Sequence, residues 1–251
     1  MYLIKVIFLL CLIICLSVLS CNYYKNSEPV FADKLKITKI DSIKIRPALS
    51  KLERNLIKMN LKNVKDLLPE LIIELKYSTD DNFIGFNVYG DLTDAYLQDE
   101  CIEKLVIAYN ILQEELPGYT FIIYDAARPL SVQRIMWDSL YVHESRKHWY
   151  VAHPDKGSIH NYGMAVDITI ACPEGKPLDM GTEFDYFGEL AFPRFTQKFL
   201  EEGKLTQEQA DNRILLINIM ERAGFTVART EWWHFDASSF VYAKEKYQII
   251  E

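Results

Sequence analysis

Two short stretches hold residue types that do chemistry, at spacings that would let them work together. "SIHNYGMAVD", Ser158 to Asp167, sets a histidine and an aspartate seven positions apart with a glycine between them. "EWWH", Glu231 to His234, sets a glutamate three positions before a histidine. A hydrolytic zinc site needs three nitrogen or oxygen ligands and a fourth place open to water. His160 and Asp167 can supply two of the ligands, because the chain around Gly163 can fold back, and His234 can supply the third. Glu231 then has the type and place of a general base, a carboxylate beside the reacting water. Each half-site alone is weak, since a lone His-x6-Asp or Glu-x-x-His has many innocent explanations. His143, His148 and His153 fall in a polar stretch and read as surface or loop residues rather than ligands.

These groups need elements to hold them. In "VDITI", Val166, Ile168 and Ile170 share one face of a strand while Asp167 and Thr169 share the other, so Asp167 points away from the apolar side. Glu231 and His234 would face opposite ways in a regular strand, so reaching one centre requires a bulge, twist or turn at Trp232 and Trp233. The two tryptophans then offer an apolar wall against water. Upstream, "LIIELKYST" (Leu71 to Thr79) reads as a strand. Asp99 to Leu116 places Ile102, Leu105, Val106, Tyr109, Leu112 and Leu116 at helical spacing and stops at a Pro-Gly pair. "YTFIIYDAARP" reads as a buried strand that Pro129 ends, with a helix starting near Ser131. Thr206 and Gln209 form a capping box, Ile214, Ile217 and Met220 an apolar stripe, and Gly224 a helix C-cap. "FTVARTEWWHFD" returns as strand. Strands and helices mix without regular alternation, and no Gly-rich phosphate loop occurs, so the fold class is α+β with a mainly antiparallel central sheet flanked by helices.

The chain has 251 residues, 49% of them apolar, enough for one substantial core. A net charge of -7 gives no electrostatic footprint for nucleic acid. Residues 1–20 carry Lys5 and then the apolar run "VIFLLCLIICLSVLS", short for a membrane span and typical of an export signal. "VLSC" resembles a bacterial lipobox, which implies lipidation of Cys21 and a lipoprotein on the periplasmic side of a cell-envelope membrane. Residues 21–60 read as a polar tether, and 61–251 as the functional domain. Beyond Cys21 only Cys101 and Cys172 remain, which excludes a cysteine metal knuckle and leaves open one disulfide between them.

Taken together, "SIHNYGMAVD" and "EWWH" match the SxHxxGxAxD and ExWH patterns of the zinc D,D-peptidases related to the D-alanyl-D-alanine dipeptidases. "DNFIGFNVYG", "YDAARP", "LDMGTEFDYF" and "NRILLINIMERAGF" agree in order, so the resemblance covers roughly residues 62–240. It implies one Zn2+ per chain on His160, Asp167 and His234, a zinc-bound water as nucleophile, Glu231 as base and acid, and Arg128 stabilising the transition state. Ser158 and Asp185 fall where the dipeptidases hold the ends of their small substrate, D-Ala-D-Ala. The family often has an aromatic residue where Ala127 stands, which bears on substrate fit. Two other readings stay open: a D,D-carboxypeptidase or endopeptidase acting on peptidoglycan stem peptides, and a zinc-containing binding module like the hedgehog signalling domain, which has a similar fold. Retention of both Glu231 and Arg128 argues against the second.

Overall fold

The computed structural model describes residues 49–251, so the expected signal segment, Cys21 and most of the tether lie outside the described residues. The folded unit nonetheless starts earlier than the sequence suggests. Helix α1 (Lys51–Lys58) occupies what reads as the end of the tether. Ser50 and Glu53 cap it reciprocally, the Glu53 amide donating to Ser50 Oγ at 3.0 Å and the Ser50 amide to Glu53 Oε2 at 2.6 Å. Its Leu56 is fully buried. A buried leucine is worth about 1.5–3 kcal/mol, and with Leu52 packed against the same core it holds this short helix to the domain.

Three two-residue strands follow, β1 (Lys62–Asn63), β2 (Ile72–Ile73) and β3 (Tyr96–Leu97), with β1 and β3 paired antiparallel. The strand expected over 71–79 is thus cut short. Lys76–Ser78 close into a 3-10 turn that seats Tyr77 in the core. Helix α2 (Asp99–Glu115) falls where its periodicity puts it, burying Ile102, Leu105, Ala108 and Leu112. Next come β4 (Thr120–Asp125), α3 (Leu130–Ser139) with Pro129 at its N-cap, and the short α4 (Glu144–Lys147). The chain continues through β5 (Ala165–Ala171), α5 (Thr196–Glu201), α6 (Gln207–Arg222), β6 (Thr226–Val227), β7 (His234–Asp236) and α7 (Phe240–Lys246).

The main sheet has the order β2-β4-β5-β7-β6. Only the β2–β4 pair is parallel, and the other three are antiparallel, in line with the expected α+β class. Every residue of central β5 is buried, so both of its faces are covered. α6 is capped by Thr206 and Gln209 as expected, and Gly224 just beyond it takes a φ of +89°. Its buried face is not the expected stripe. Met220 is buried, but Ile214 is 42% exposed, and the core is met by Ala210, Arg213, Leu216 and Ile219. Counting in threes from Ile214 drifts around a helix of 3.6 residues per turn. Cys101 and Cys172 are both free thiols, so no disulfide joins them.

Candidate metal centre and substrate cleft

Sheet register builds half of the site. Asp167 on β5 lies directly opposite His234 on β7. On its other side it lies opposite Asp125 on β4, because the register shifts between Ile123 and Asp125. A bulge of this kind re-aims side chains at the end of a strand, and here it sets Asp125, Asp167 and His234 in one row across three strands. Trp232 and Trp233 form the bend that the Glu231–His234 spacing requires, and the Trp233 carbonyl stays tied to β5 by accepting from the Ile168 amide at 2.9 Å.

His160 arrives on a separate device, the single 3-10 turn Ile159–Tyr162. Asn161 locks the turn, its Oδ1 accepting from the Ser158 amide at 2.7 Å and its Nδ2 donating to the Arg128 carbonyl at 2.8 Å. The Arg128 amide returns a bond to the His160 carbonyl at 3.0 Å, so the loops carrying Arg128 and His160 are sewn together. Gly163 ends the turn with φ +68°, and a Cβ there would sit 2.7 Å from Leu61 Cδ2. The glycine between His160 and Asp167 is therefore needed both for backbone shape and for close packing.

The ligand atoms converge. His160 Nε2, Asp167 Oδ1 and His234 Nδ1 lie 3.0–3.3 Å from one another. Second partners fix both ring tautomers. His160 Nδ1 donates to the Ala126 carbonyl at 2.7 Å, and His234 Nε2 donates to Asp236 Oδ1 at 2.8 Å. Each remaining ring nitrogen then turns a lone pair toward the carboxylate oxygen. Three lone pairs facing one point repel unless a cation or a proton sits among them, and two imidazoles with one carboxylate are a donor set that suits zinc. Burial opposes protonation of His234, but Asp236 and Asp167 hold its pKa well above the usual imidazole range. Burial likewise works to raise the Asp167 pKa, and the two imidazoles more than reverse it, holding the carboxyl ionised.

Arg128 leans over this centre from β4's end. Its Nε and Nη2 both donate to Asp125 Oδ2, at 2.8 and 2.6 Å, and Nη2 lies 3.7 Å from Asp167 Oδ2. Asp125 is itself oriented by Tyr89, whose hydroxyl donates to Oδ1 at 2.6 Å. Nη1 of Arg128 donates to Gln133 Oε1 at 2.9 Å, and Gln133 Nε2 donates to the Ala152 carbonyl at 2.8 Å. Ser158 Oγ reaches the same Gln133 oxygen at 3.4 Å.

A cleft of about 310 Å³ joins these groups, lined among others by Tyr77, Arg128, Ser158, Asp185, Glu231 and Trp233. Burial pushes the Glu231 carboxyl up to about 7. Asp185 takes φ +60°, a strained left-handed conformation for a residue other than glycine. Both of its oxygens accept from the Tyr77 hydroxyl at 2.9 Å, and burial holds its pKa well above the carboxylate range. All the candidate site residues between Arg128 and His234 thus border one cleft. Of the two tryptophans only Trp233 walls it, while Trp232 faces a second cavity and donates to Thr182 Oγ1 at 2.8 Å. Ala127 packs in the core and does not line the cleft. Among the remaining histidines, His143 caps α4 and His153 packs on Trp137, but exposed His148 borders the cleft mouth. Sequence reasoning missed Asp125, Gln133, Tyr77 and Asp236. Asp236 carried a readable signal, since it stands two places after His234 on the same strand face.

The D-Ala-D-Ala dipeptidase family model matches residues 58–250. The chain belongs to that family. Among similar proteins, the D-alanyl-D-alanine dipeptidase of Escherichia coli K12 is 33% identical over 170 residues, covering 68% of this chain and 80% of the relative. The dipeptidase of a Synechocystis strain is 26% identical, covering 74% and 82%, and that of Enterococcus faecium 28%, covering 64% and 83%. A solved LD-carboxypeptidase, LdcB, overlaps 60% of this chain and 63% of its own at a TM-score of 0.36 and 18% identity.

Proposed function

We propose that the protein is a zinc-dependent dipeptidase that hydrolyses D-Ala-D-Ala to free D-alanine. The observation that carries this is the convergence of His160 Nε2, Asp167 Oδ1 and His234 Nδ1, each held from behind, in the cleft that Glu231 and Arg128 also line. His160, Asp167 and His234 would hold the metal, which when bound polarises the scissile carbonyl and lowers the pKa of a water toward about 7.

The chain's own residues divide the remaining work. Glu231 takes the proton of the attacking water and delivers it to the leaving amine, a role that suits a carboxyl whose pKa is pushed up to about 7. Arg128 faces the oxygen on which charge develops, with Asp125 and Gln133 fixing its guanidinium beforehand. Removal of one such preorganised donor commonly costs about 3–4 kcal/mol of barrier. Asp185 meets the substrate's amino end and Ser158 its other end, while Trp233 keeps bulk water away. N-terminal lipidation at Cys21 would tether this activity to the cell envelope. In the test, purified protein is incubated with D-Ala-D-Ala with and without chelator and released D-alanine is measured. Release that stops with chelator and returns with zinc is expected, and absence of release by the zinc-loaded protein overturns the reading.

A further inference from the structure

Asp185 sits in the loop 178–190, and packing fixes that loop only in part. Phe184 seats its centre against Tyr77, Tyr124 and Trp233, with ring centroids 5.1–6.0 Å apart. Behind it, however, lies a cavity of about 810 Å³ lined by Met180, Thr182, Phe184 and Gln209 among others. The shoulders of the loop are held from α6. Gln209 Nε2 donates to Asp179 Oδ2 at 2.8 Å, and Asn212 Nδ2 to the Asp179 carbonyl at 2.9 Å. The next residue, Arg213, is fully buried, and its guanidinium reaches both shoulders at once. Nε donates to the Met180 carbonyl at 2.5 Å and Nη1 to the Leu190 carbonyl at 2.8 Å.

Neither hydrogen-bond partner is a carboxylate, Nη2 has no hydrogen-bond partner among the described residues, and the one opposing charge that acts on the guanidinium, Asp179, is not bonded to it. Burial outweighs the nearby Asp179 charge and pulls the guanidinium down to about 10. A buried cation without a bonded counter-charge is expensive, and an apolar side chain of similar volume would serve the helix as well or better. What an apolar residue cannot do is hold two carbonyls at a fixed separation, which the rigid fork of a guanidinium does. We propose that Arg213 is a positioning residue for the reaction: by tying Met180 and Leu190 to one planar group, it sets the loop that presents Asp185 to the substrate. This rests on the reading of Asp185 as the group that meets the substrate's amino end.

The test uses the full, zinc-loaded chain with R213Q, R213K, D185N and the R213Q/D185N double variant. Amide hydrogen exchange and the kinetics of D-Ala-D-Ala cleavage are both measured. R213Q is expected to speed exchange across 180–190 by about tenfold or more while β5 stays protected and zinc content is unchanged. KM rises about tenfold and kcat stays within about threefold, as for a lost binding contact. R213K recovers part of both effects. The double variant shows the KM of D185N alone, because Arg213 acts through Asp185. Unchanged exchange of the loop in R213Q overturns the proposal, as do KM effects that multiply in the double variant. Should R213Q not fold, R213K carries the same comparison. A D185N variant with wild-type KM defeats the Asp185 reading instead, and the exchange data still decide whether Arg213 holds the loop.

Discussion

Asp167 and His234 face each other across β5 and β7 as a cross-strand pair, with Oδ1 and Nδ1 3.0 Å apart. Directly opposed residues in an antiparallel pair have Cβ atoms about 4.5–5.5 Å apart, so register alone brings together two of the three proposed ligands. A ligand that binds only the native state at a thousand times its Kd stabilises it by about 4 kcal/mol. Saturating zinc is therefore expected to raise the Tm of the chelated wild type by several degrees and that of Asp167→Asn hardly at all. Calorimetry with and without zinc checks this, and an equal rise in both proteins removes Asp167 from the ligand set.

Asp236 should matter to the metal without touching it. Its carboxylate accepts from His234 Nε2 at 2.8 Å and so keeps the lone pair of Nδ1 turned to the centre. Loss of such an outer partner commonly weakens metal binding about 10–100-fold. Asp236→Ala is expected to lose zinc to a competing chelator at that lower affinity, while turnover at saturating zinc stays within severalfold. A variant that holds zinc as tightly as wild type shows the bond to be dispensable.

How far the sequence reveals this site depends on what each residue does. The cluster of His160, Asp167 and His234 with Glu231 in the same cleft was legible because residue types of that chemistry stand out at those spacings, and α2 and β4 because periodicity and Pro129 mark them. Gln133 left no trace, since a glutamine on α3 acquires meaning only when the loop bearing Arg128 folds back on it. Arg213 was hidden for the opposite reason: it reads as a surface charge on an amphipathic helix and is wholly buried. The early part of the chain misled because α1 joins the core through only two leucines, Leu52 and Leu56, and a cap, too few to show as a periodic stripe.

Glu231 gives a pH dependence whose sign can be worked out. Its native carboxyl, at about 7 without metal, lies above the unfolded value of about 4.3, so the native state holds its proton longer. Stability of the chelated protein therefore falls as pH rises from about 4 to about 7 and levels off above, by up to about 4 kcal/mol from this group. Glu231→Gln removes that loss. Urea denaturation of the chelated proteins is expected to show the variant more stable at pH 8 than wild type, with the gap closing toward pH 4. The same variant should retain zinc and lose nearly all turnover. Retained turnover at the wild-type rate would remove Glu231 from the chemistry.

Arg128 and Gln133 form one unit. Gln133→Met keeps the volume but leaves Nη1 of a buried guanidinium unpaired, which costs about 1.5–3 kcal/mol for a charged hydrogen bond. Turnover is expected to drop about tenfold or more with little change in zinc content. Arg128→Lys, which cannot span Asp125 and Gln133 together, should lose about two to three powers of ten. In Arg128→Lys the further change Gln133→Met should then add little, and fully multiplicative losses would separate the two residues.

Substrate length depends on whether Asp185, which lines the cleft, meets the substrate's amino end as proposed. Its carboxyl is held by Tyr77 and has a pKa raised well above the usual range by burial, so an arriving ammonium favours the ionised form. KM for D-Ala-D-Ala should accordingly fall as pH rises through the Asp185 ionisation wherever the substrate's amine is still protonated. Acylating that amine removes the charge and adds bulk against Tyr77 and Asp185. An N-acetylated dipeptide, and a stem pentapeptide ending in D-Ala-D-Ala, should each show kcat/KM lower by roughly two powers of ten or more, since a site built for a polar group rejects its absence strongly. Parallel assays of the three substrates decide the point. Equal cleavage of dipeptide and pentapeptide would move the protein to the carboxypeptidase reading, and with it would move Asp185 from the end of the substrate to the side of an open cleft.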